Sequence, residues 1–136
     1  MWTAERRKLH GLQQTDDCTL CDQHAEHADH LLLSCPFSRQ IWHGVLLWAG
    51  LPTLVPQGQE TLLDWWLKAR NEVPDALRRG FDSATLLTAW MIWKERNRRT
   101  FDAISSTPDQ LLRKTKEEAT EWVAAGFRDL TIFNSV

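Results

Sequence analysis

A mainly α-helical fold follows from three observations. Apolar residues recur at helical period along several stretches, as at Phe37, Ile41, Val45 and Trp48, which fall at i, i+4, i+8 and i+11. The period-two alternation of a half-buried strand is nearly absent. All three cysteines and three of the five histidines lie between Cys18 and Cys35, a density that points to one metal site. Together they predict a mainly α chain, with a small zinc-stabilised N-terminal module followed by a helical bundle.

The length of 136 residues suits one domain, or one small module with a helical extension. The expected division is a zinc-binding module over 1–50 and a helical extension over 51–136. Eight tryptophans and no tyrosine supply large buried areas, so a modest core suffices at this size. The net charge of −2 argues against a general nucleic-acid binder, which would be plainly basic. No apolar h-region follows Met1, so no secretory signal is expected. No run approaches the roughly 18 apolar residues of a membrane span. An odd number of cysteines without a signal argues against a disulfide framework and for a reducing compartment. The expected location is intracellular, nuclear or cytoplasmic.

In chain order, residues 3–12 read as a short helix that Thr3 can cap, carrying the basic cluster Arg6, Arg7 and Lys8. Gln13 to Asp17 is a polar loop. Then comes Cys18-Thr-Leu-Cys21, eight residues, His30, four residues and Cys35. Zinc prefers four thiolate or imidazole ligands in a tetrahedron, and two cysteines spaced C-x2-C lie on a tight turn with both sulfurs able to face one ion. His30 and Cys35 would close the set from a second segment, a short helix over 25–34. Leu31, Leu32 and Leu33 give that segment an apolar side. His24 and His27 compete for the fourth position; His30 is preferred because it adjoins the apolar run. The plain alternative is three buried free thiols.

Pro36 suits the first turn of the next helix, where its missing N–H costs nothing. That helix runs to about Ala49, with Trp42 and Leu46 widening its stripe and Gly50 capping its end. Leu51 to Gly58, with two prolines and a glycine, is a loop. Glu60 to Arg70 is helical, with Leu62, Leu63, Trp66 and Leu67 on one side and one of Trp65 and Trp66 at the edge of the packed face. Asp75 to Arg79 is a single turn. Asp82 is the expected N-cap of the longest helix, whose stripe is Leu86, Trp90, Trp93 and Asn97, closed by Phe101. Its last turns are basic through Lys94, Arg96, Arg98 and Arg99, which suits the negative end of a helix dipole. Thr107-Pro108-Asp109-Gln110 is a capping box with proline at the first helical position. It opens a helix carrying Leu111, Leu112, Thr115, Ala119, Trp122 and Val123, which Gly126 ends. The tail from Phe127 is extended or without order. Most tryptophans fall on helical stripes and read as core; Trp65 and Trp2 are the candidates for exposure.

The segment from Thr3 to Trp42 resembles the zinc-binding domain that follows the reverse transcriptase in plant LINE-type (non-LTR) retrotransposons. The resemblance rests on Cys18, Cys21, Glu26, His30, Cys35, Ile41 and Trp42. These match a pattern of C-x-x-C, an acid shortly before the histidine, H-x-x-x-x-C, then an aliphatic residue and Trp. The string from Trp90 to Phe101 resembles the W-x-I-W-K-x-R-N-x-x-x-F segment that commonly follows this domain. The family's domain usually begins further upstream, so the chain is expected to start inside it. The resemblance implies a retroelement origin and an ancestral task of helping a polymerase handle its RNA template or DNA target. It also implies the reverse transcriptase or another retroelement protein as a partner.

One zinc with three thiolates and an imidazole is fully coordinated, whereas catalytic zinc keeps an open position. Zinc is therefore expected to be structural, and residues 1–50 to need it to fold, since such sites contribute about 10 to 16 kcal/mol in free peptides. No enzyme is expected. Asp16-Asp17 lacks the β context of a polymerase aspartate pair, and neither a glycine-rich phosphate loop nor a Ser/His/Asp set is present. The chain is expected to end before a ribonuclease H domain could follow. No small-molecule substrate and no membrane partner are expected.

RNA or DNA contact would have to come from outside the metal loop, which holds Asp16, Asp17, Asp22, Glu26 and Asp29 and no Lys or Arg. Zinc knuckles that grip single strands need cations and exposed aromatics. The candidates are Arg6, Arg7 and Lys8; Lys94, Arg96, Arg98 and Arg99; and Arg113, Lys114 and Lys116. For each, a solvated helix face is the plain reading. Two readings of function stand: a zinc-stabilised, non-catalytic module assisting nucleic-acid handling, and a protein-interaction or vestigial module without nucleic-acid affinity.

Overall fold

The computed structural model describes residues 18–21, 26–57 and 60–124. The helix expected over 3–12, the cluster Arg6–Arg7–Lys8, Trp2, His24, Gly126 and the tail lie outside the described residues. The described part is helical, with no strand among the described residues. It begins with the Cys18–Cys21 turn and a π-helical turn, His30–Ser34. Four α-helices follow among the described residues: α1 Pro36–Trp48, α2 Leu62–Glu72, α3 Arg78–Asn97 and α4 Pro108–Ala124. Helix α1 packs against α3 and α4, and α2 lies against α3. None of these helices is long and apolar enough to cross a membrane.

Proline sets the first boundary. Pro36 has no N–H to give the Leu32 carbonyl its ordinary helical bond, and the Cys35 N–H that would serve Leu31 O is turned to His30 O. The chain widens into a π turn closed by Cys35 N–H donating to His30 O at 2.7 Å. The two carbonyls are instead taken by side chains of α1. Ser38 Oγ donates to Leu31 O, and Trp42 Nε1 donates to Leu32 O at 2.7 Å. All of these groups are buried, where an unpaired carbonyl would cost about 1 to 3 kcal/mol.

Helix α1 buries Phe37, Ile41, Trp42, Val45 and Leu46, the stripe its period predicts. It ends as expected at Gly50, whose φ of +79° lies in the left-handed region that glycine tolerates. Gly50 N–H donates to Leu47 O at 3.1 Å and Leu51 N–H to Leu46 O at 2.7 Å. Gly44 marks the close crossing with α4, where a Cβ would run into the Leu112 side chain. The capping box of α4 is also formed. Thr107 Oγ1 accepts from Gln110 N–H at 3.2 Å, and Thr107 N–H donates to Gln110 Oε1 at 2.9 Å. Leu111, Thr115 and Ala119 face inward.

Helices α2 and α3 turn differently from expectation. Trp65 is buried, as are Ala69 and Val73, while Leu63 and Leu67 are 59% and 46% exposed. The reason is aromatic packing. Trp65 lies 4.9 Å from Trp42 and 6.0 Å from Phe81, centroid to centroid, and its Nε1 donates to Leu54 O at 2.8 Å. Thr61 caps α2, accepting from Asp64 N–H at 3.1 Å, so the helix starts two residues after the expected Glu60. On α3 the inward face is Phe81, Ala84, Leu87, Thr88, Met91, Ile92, Glu95 and Arg96. Leu86 and Trp90 are 62% and 49% exposed, and Phe101 is exposed as well. Asp82 is not a cap. The helix already begins at Arg78, and the Asp82 carboxylate instead pairs with Arg70 at 2.9 Å and accepts from Trp66 Nε1 at 2.9 Å.

The hydrophobic core is continuous from Cys18 to Ala119. Apolar burial thus links the metal-binding segment to helices on the far side of residue 50. That burial stabilises the fold by about 25 cal/mol for each Å² removed from water.

Candidate metal centre

The Cys18–Cys21 turn and the His30–Cys35 segment bring four side chains together. One ligand atom from each of Cys18, Cys21, His30 and Cys35 lies within 4.8 Å of every other. Cys18 Sγ and Cys35 Sγ are 3.9 Å apart, and Cys21 Sγ is 3.4 Å from His30 Nε2. A zinc tetrahedron with ordinary bond lengths has sulfur–sulfur edges of about 3.8 Å and sulfur–nitrogen edges of about 3.6 Å. The donor set therefore fits one zinc ion, and it fits in size as well as in chemistry.

Cys18, Cys35 and His30 are buried, and Cys21 is half-buried. The backbone prepares the two buried sulfurs for negative charge. The backbone of Leu20 and Cys21 favours the ionised form of Cys18, and that of Ser38 and Phe37, at the start of α1, the ionised form of Cys35. The hydrogen bond with Cys35 and then burial push the Cys18 thiol up. The same bond pulls the Cys35 thiol down against its own burial. Zinc binds thiolates, so a divalent cation held between these crowded sulfurs would displace their protons.

The neighbouring histidine has a different role. His27 is exposed, and its Nδ1 accepts from the His30 N–H at 3.3 Å. It caps the turn that carries His30. His24 lies outside the described residues.

Two groups that sequence reasoning left unplaced define the surroundings. Glu26 is fully buried and accepts from Arg96 Nε at 3.1 Å and Nη2 at 2.7 Å, both on Oε1. Its Oε2 accepts from Thr19 N–H at 3.4 Å. The acid of the N-terminal motif is therefore bound to the arginine of the Trp90–Phe101 string, across a buried ion pair with both side chains 0% exposed. Arg96 also lies over the Trp93 ring at 5.1 Å.

The next acid, Glu95, is also buried. Burial pushes its carboxyl up, but the Ser106 N–H and the Arg98 and Arg99 guanidiniums overcome this and hold it below the ordinary carboxylate range. Arg98 and Arg99 pair with its two oxygens at 2.9 and 2.8 Å. Of the basic cluster on α3, then, Arg96 has no exposed surface for a phosphate. Arg98 and Arg99 are already engaged, and Lys94 lies 5.9 Å from the Trp90 ring. The signal that could have paired Glu26 with Arg96 was the occurrence of both motifs in one chain.

Residues 1–42 match a protein-family model described as zinc-binding in reverse transcriptase. The match contains all four clustered side chains and ends at Trp42, whose indole holds the turn carrying His30. Neither the curated proteins nor the solved structures contain a match to the chain.

Proposed function

We propose that this chain is a non-catalytic structural zinc module of retrotransposon origin, with one zinc held by Cys18, Cys21, His30 and Cys35. Its origin would be the region following a plant LINE-type reverse transcriptase. The observation that carries the reading is the convergence of four ligand atoms within 4.8 Å of one another, in the segment that matches a zinc-binding family. Three thiolates and one imidazole leave zinc no open position for water, which favours a structural role over a catalytic one. Elemental analysis of purified protein tests this. One zinc per chain, lost or loosened in Cys35→Ser and His30→Ala, is expected. A well-folded wild type without zinc would contradict it.

The ancestral task of such a module would be to assist nucleic-acid handling. Binding to single-stranded RNA or DNA that weakens as salt rises is the expected signature; no binding even at low salt would sink that part. A second reading, a protein-interaction module without nucleic-acid affinity, is favoured by a specific observation. Arg96, Arg98 and Arg99 are all engaged in ion pairs with buried carboxylates, so the basic end of α3 offers phosphates less than its sequence suggests.

A further inference from the structure

The Cys18–Cys21 turn is gripped by the end of a helix almost eighty residues downstream. Directly after α3 the chain makes a second π turn, Arg98–Asp102. A π turn widens the helical path and changes the direction in which its side chains leave the backbone. One of these side chains is Arg99. Its Nη1 donates to both Thr19 O and Leu20 O, each at 3.4 Å. Its Nε donates to Glu95 Oε2 at 2.8 Å and its Nη2 to Ser106 O at 2.8 Å. The guanidinium lies 4.7 Å from the Phe37 ring centroid, and the Phe37 backbone favours the ionised form of Cys35. One cation therefore touches the backbone between two cysteines and the residue that supports a third.

The charges lead to the same place. Zinc with three thiolates carries a formal charge of −1. Glu26 and Glu95 add two buried negative charges, and Arg96, Arg98 and Arg99 supply three positive ones. With zinc bound, the formal charges of this set sum to zero. Of the three cations, Arg96 is committed to Glu26, and Arg98 engages Glu95. Arg99 is the one whose described bonds reach the cysteine turn itself.

We propose that Arg99 is a positioning residue for the zinc site, orienting the Thr19–Leu20 turn and balancing the charge of the loaded thiolate cluster. The inference rests on the zinc reading above. It means that the metal affinity of the N-terminal segment depends on the string from Trp90 to Phe101, so a fragment cut after Trp42 or Gly50 would hold zinc more weakly than the full chain.

The test uses the full chain as wild type, Arg99→Gln, Arg99→Lys and Arg98→Gln. Zinc affinity is read by competition with a chromogenic chelator. The geometry of the site is read from the visible absorption of the cobalt(II)-loaded protein, and thermal unfolding is followed in parallel. Groups that orient metal ligands typically change affinity by about 10- to 100-fold when removed. Arg99→Gln is expected to loosen zinc about tenfold or more and to alter the cobalt spectrum. Arg98→Gln, which removes the same charge from the same carboxylate, should change zinc affinity by less than about threefold on this account. Arg99→Lys keeps the charge without the planar fork and should fall between them. If Arg99→Gln fails to fold, Arg99→Lys carries the test. Zinc held as tightly in the Arg99 variants as in wild type would overturn the inference and leave the zinc reading standing. Equal loosening by Arg98→Gln and Arg99→Gln would overturn it too, because the effect would then run through Glu95 alone. A wild type that binds no zinc would instead overturn the proposed function, and this inference with it.

Discussion

The two ends of α3 are held by opposite chemistries. Toward its start, Phe81 packs on Trp65, which packs on Trp42, while Leu86 of α3 and Leu63 of α2 stay exposed beside one another. Toward its end, Glu95, Arg96, Arg98 and Arg99 form buried or half-buried ion pairs that hold the cysteine turn and the Glu26 segment. Apolar packing is forgiving of register, since many side chains of similar size can fill the same space. A buried ion pair is unforgiving, because removing one partner strands the other charge. The metal-binding end thus gains a defined geometry where the aromatic end gains stability.

That contrast breaks most sharply at Arg96. Arg96→Met leaves Glu26 buried without its partner and is expected to destabilise the zinc-loaded protein by about 3 to 5 kcal/mol in denaturant unfolding. The double variant Glu26→Gln with Arg96→Met should recover a large part of this, because the stranded charge is gone. A single variant as stable as wild type would mean the pair contributes no geometry. At the aromatic end, Trp65→Ala should also cost about 3 to 5 kcal/mol by leaving a cavity. Two residues earlier in the sequence, Leu63→Ala should stay within about 0.5 kcal/mol because Leu63 is largely exposed. Similar losses at both positions would contradict the inward face described for α2.

Acid should attack the polar end first. The Glu95 carboxyl is held below its ordinary range. Its contribution is therefore complete above the unfolded value of about 4.3 and is lost as pH falls through the lower folded value. Thermal unfolding midpoints measured downward from about pH 5 should fall less steeply in Glu95→Gln than in wild type; parallel slopes would remove Glu95 from the account. The smallest effect is expected at the capping box, where Thr107→Ala should cost about 1 kcal/mol, read by the same denaturant unfolding.

The same contrast explains what could be read from residues alone. The cluster Cys18, Cys21, His30 and Cys35, the Gly50 cap, the α1 stripe and the Thr107–Gln110 box are patterns confined to short stretches of sequence. The inward faces of α2 and α3 were not legible, because each helix carries two overlapping apolar stripes. Trp65 competes with Trp66, and Leu87 and Met91 compete with Leu86 and Trp90. The choice is made by Trp42 and Phe81, which no helical period reveals. Asp82 reads as a cap until Arg70 is seen to lie opposite it. The roles of Arg96 and Arg99 depend on contacts with residues some 70 to 80 positions earlier, so they read as a solvated basic run.

The central claim is a single zinc with a sulfur-rich shell, and X-ray absorption at the zinc edge of the purified full chain tests it most directly. The account predicts three sulfur neighbours at about 2.3 Å and one nitrogen at about 2.0 to 2.1 Å. A shell of oxygen and nitrogen atoms, or one with fewer than three sulfurs, would contradict it.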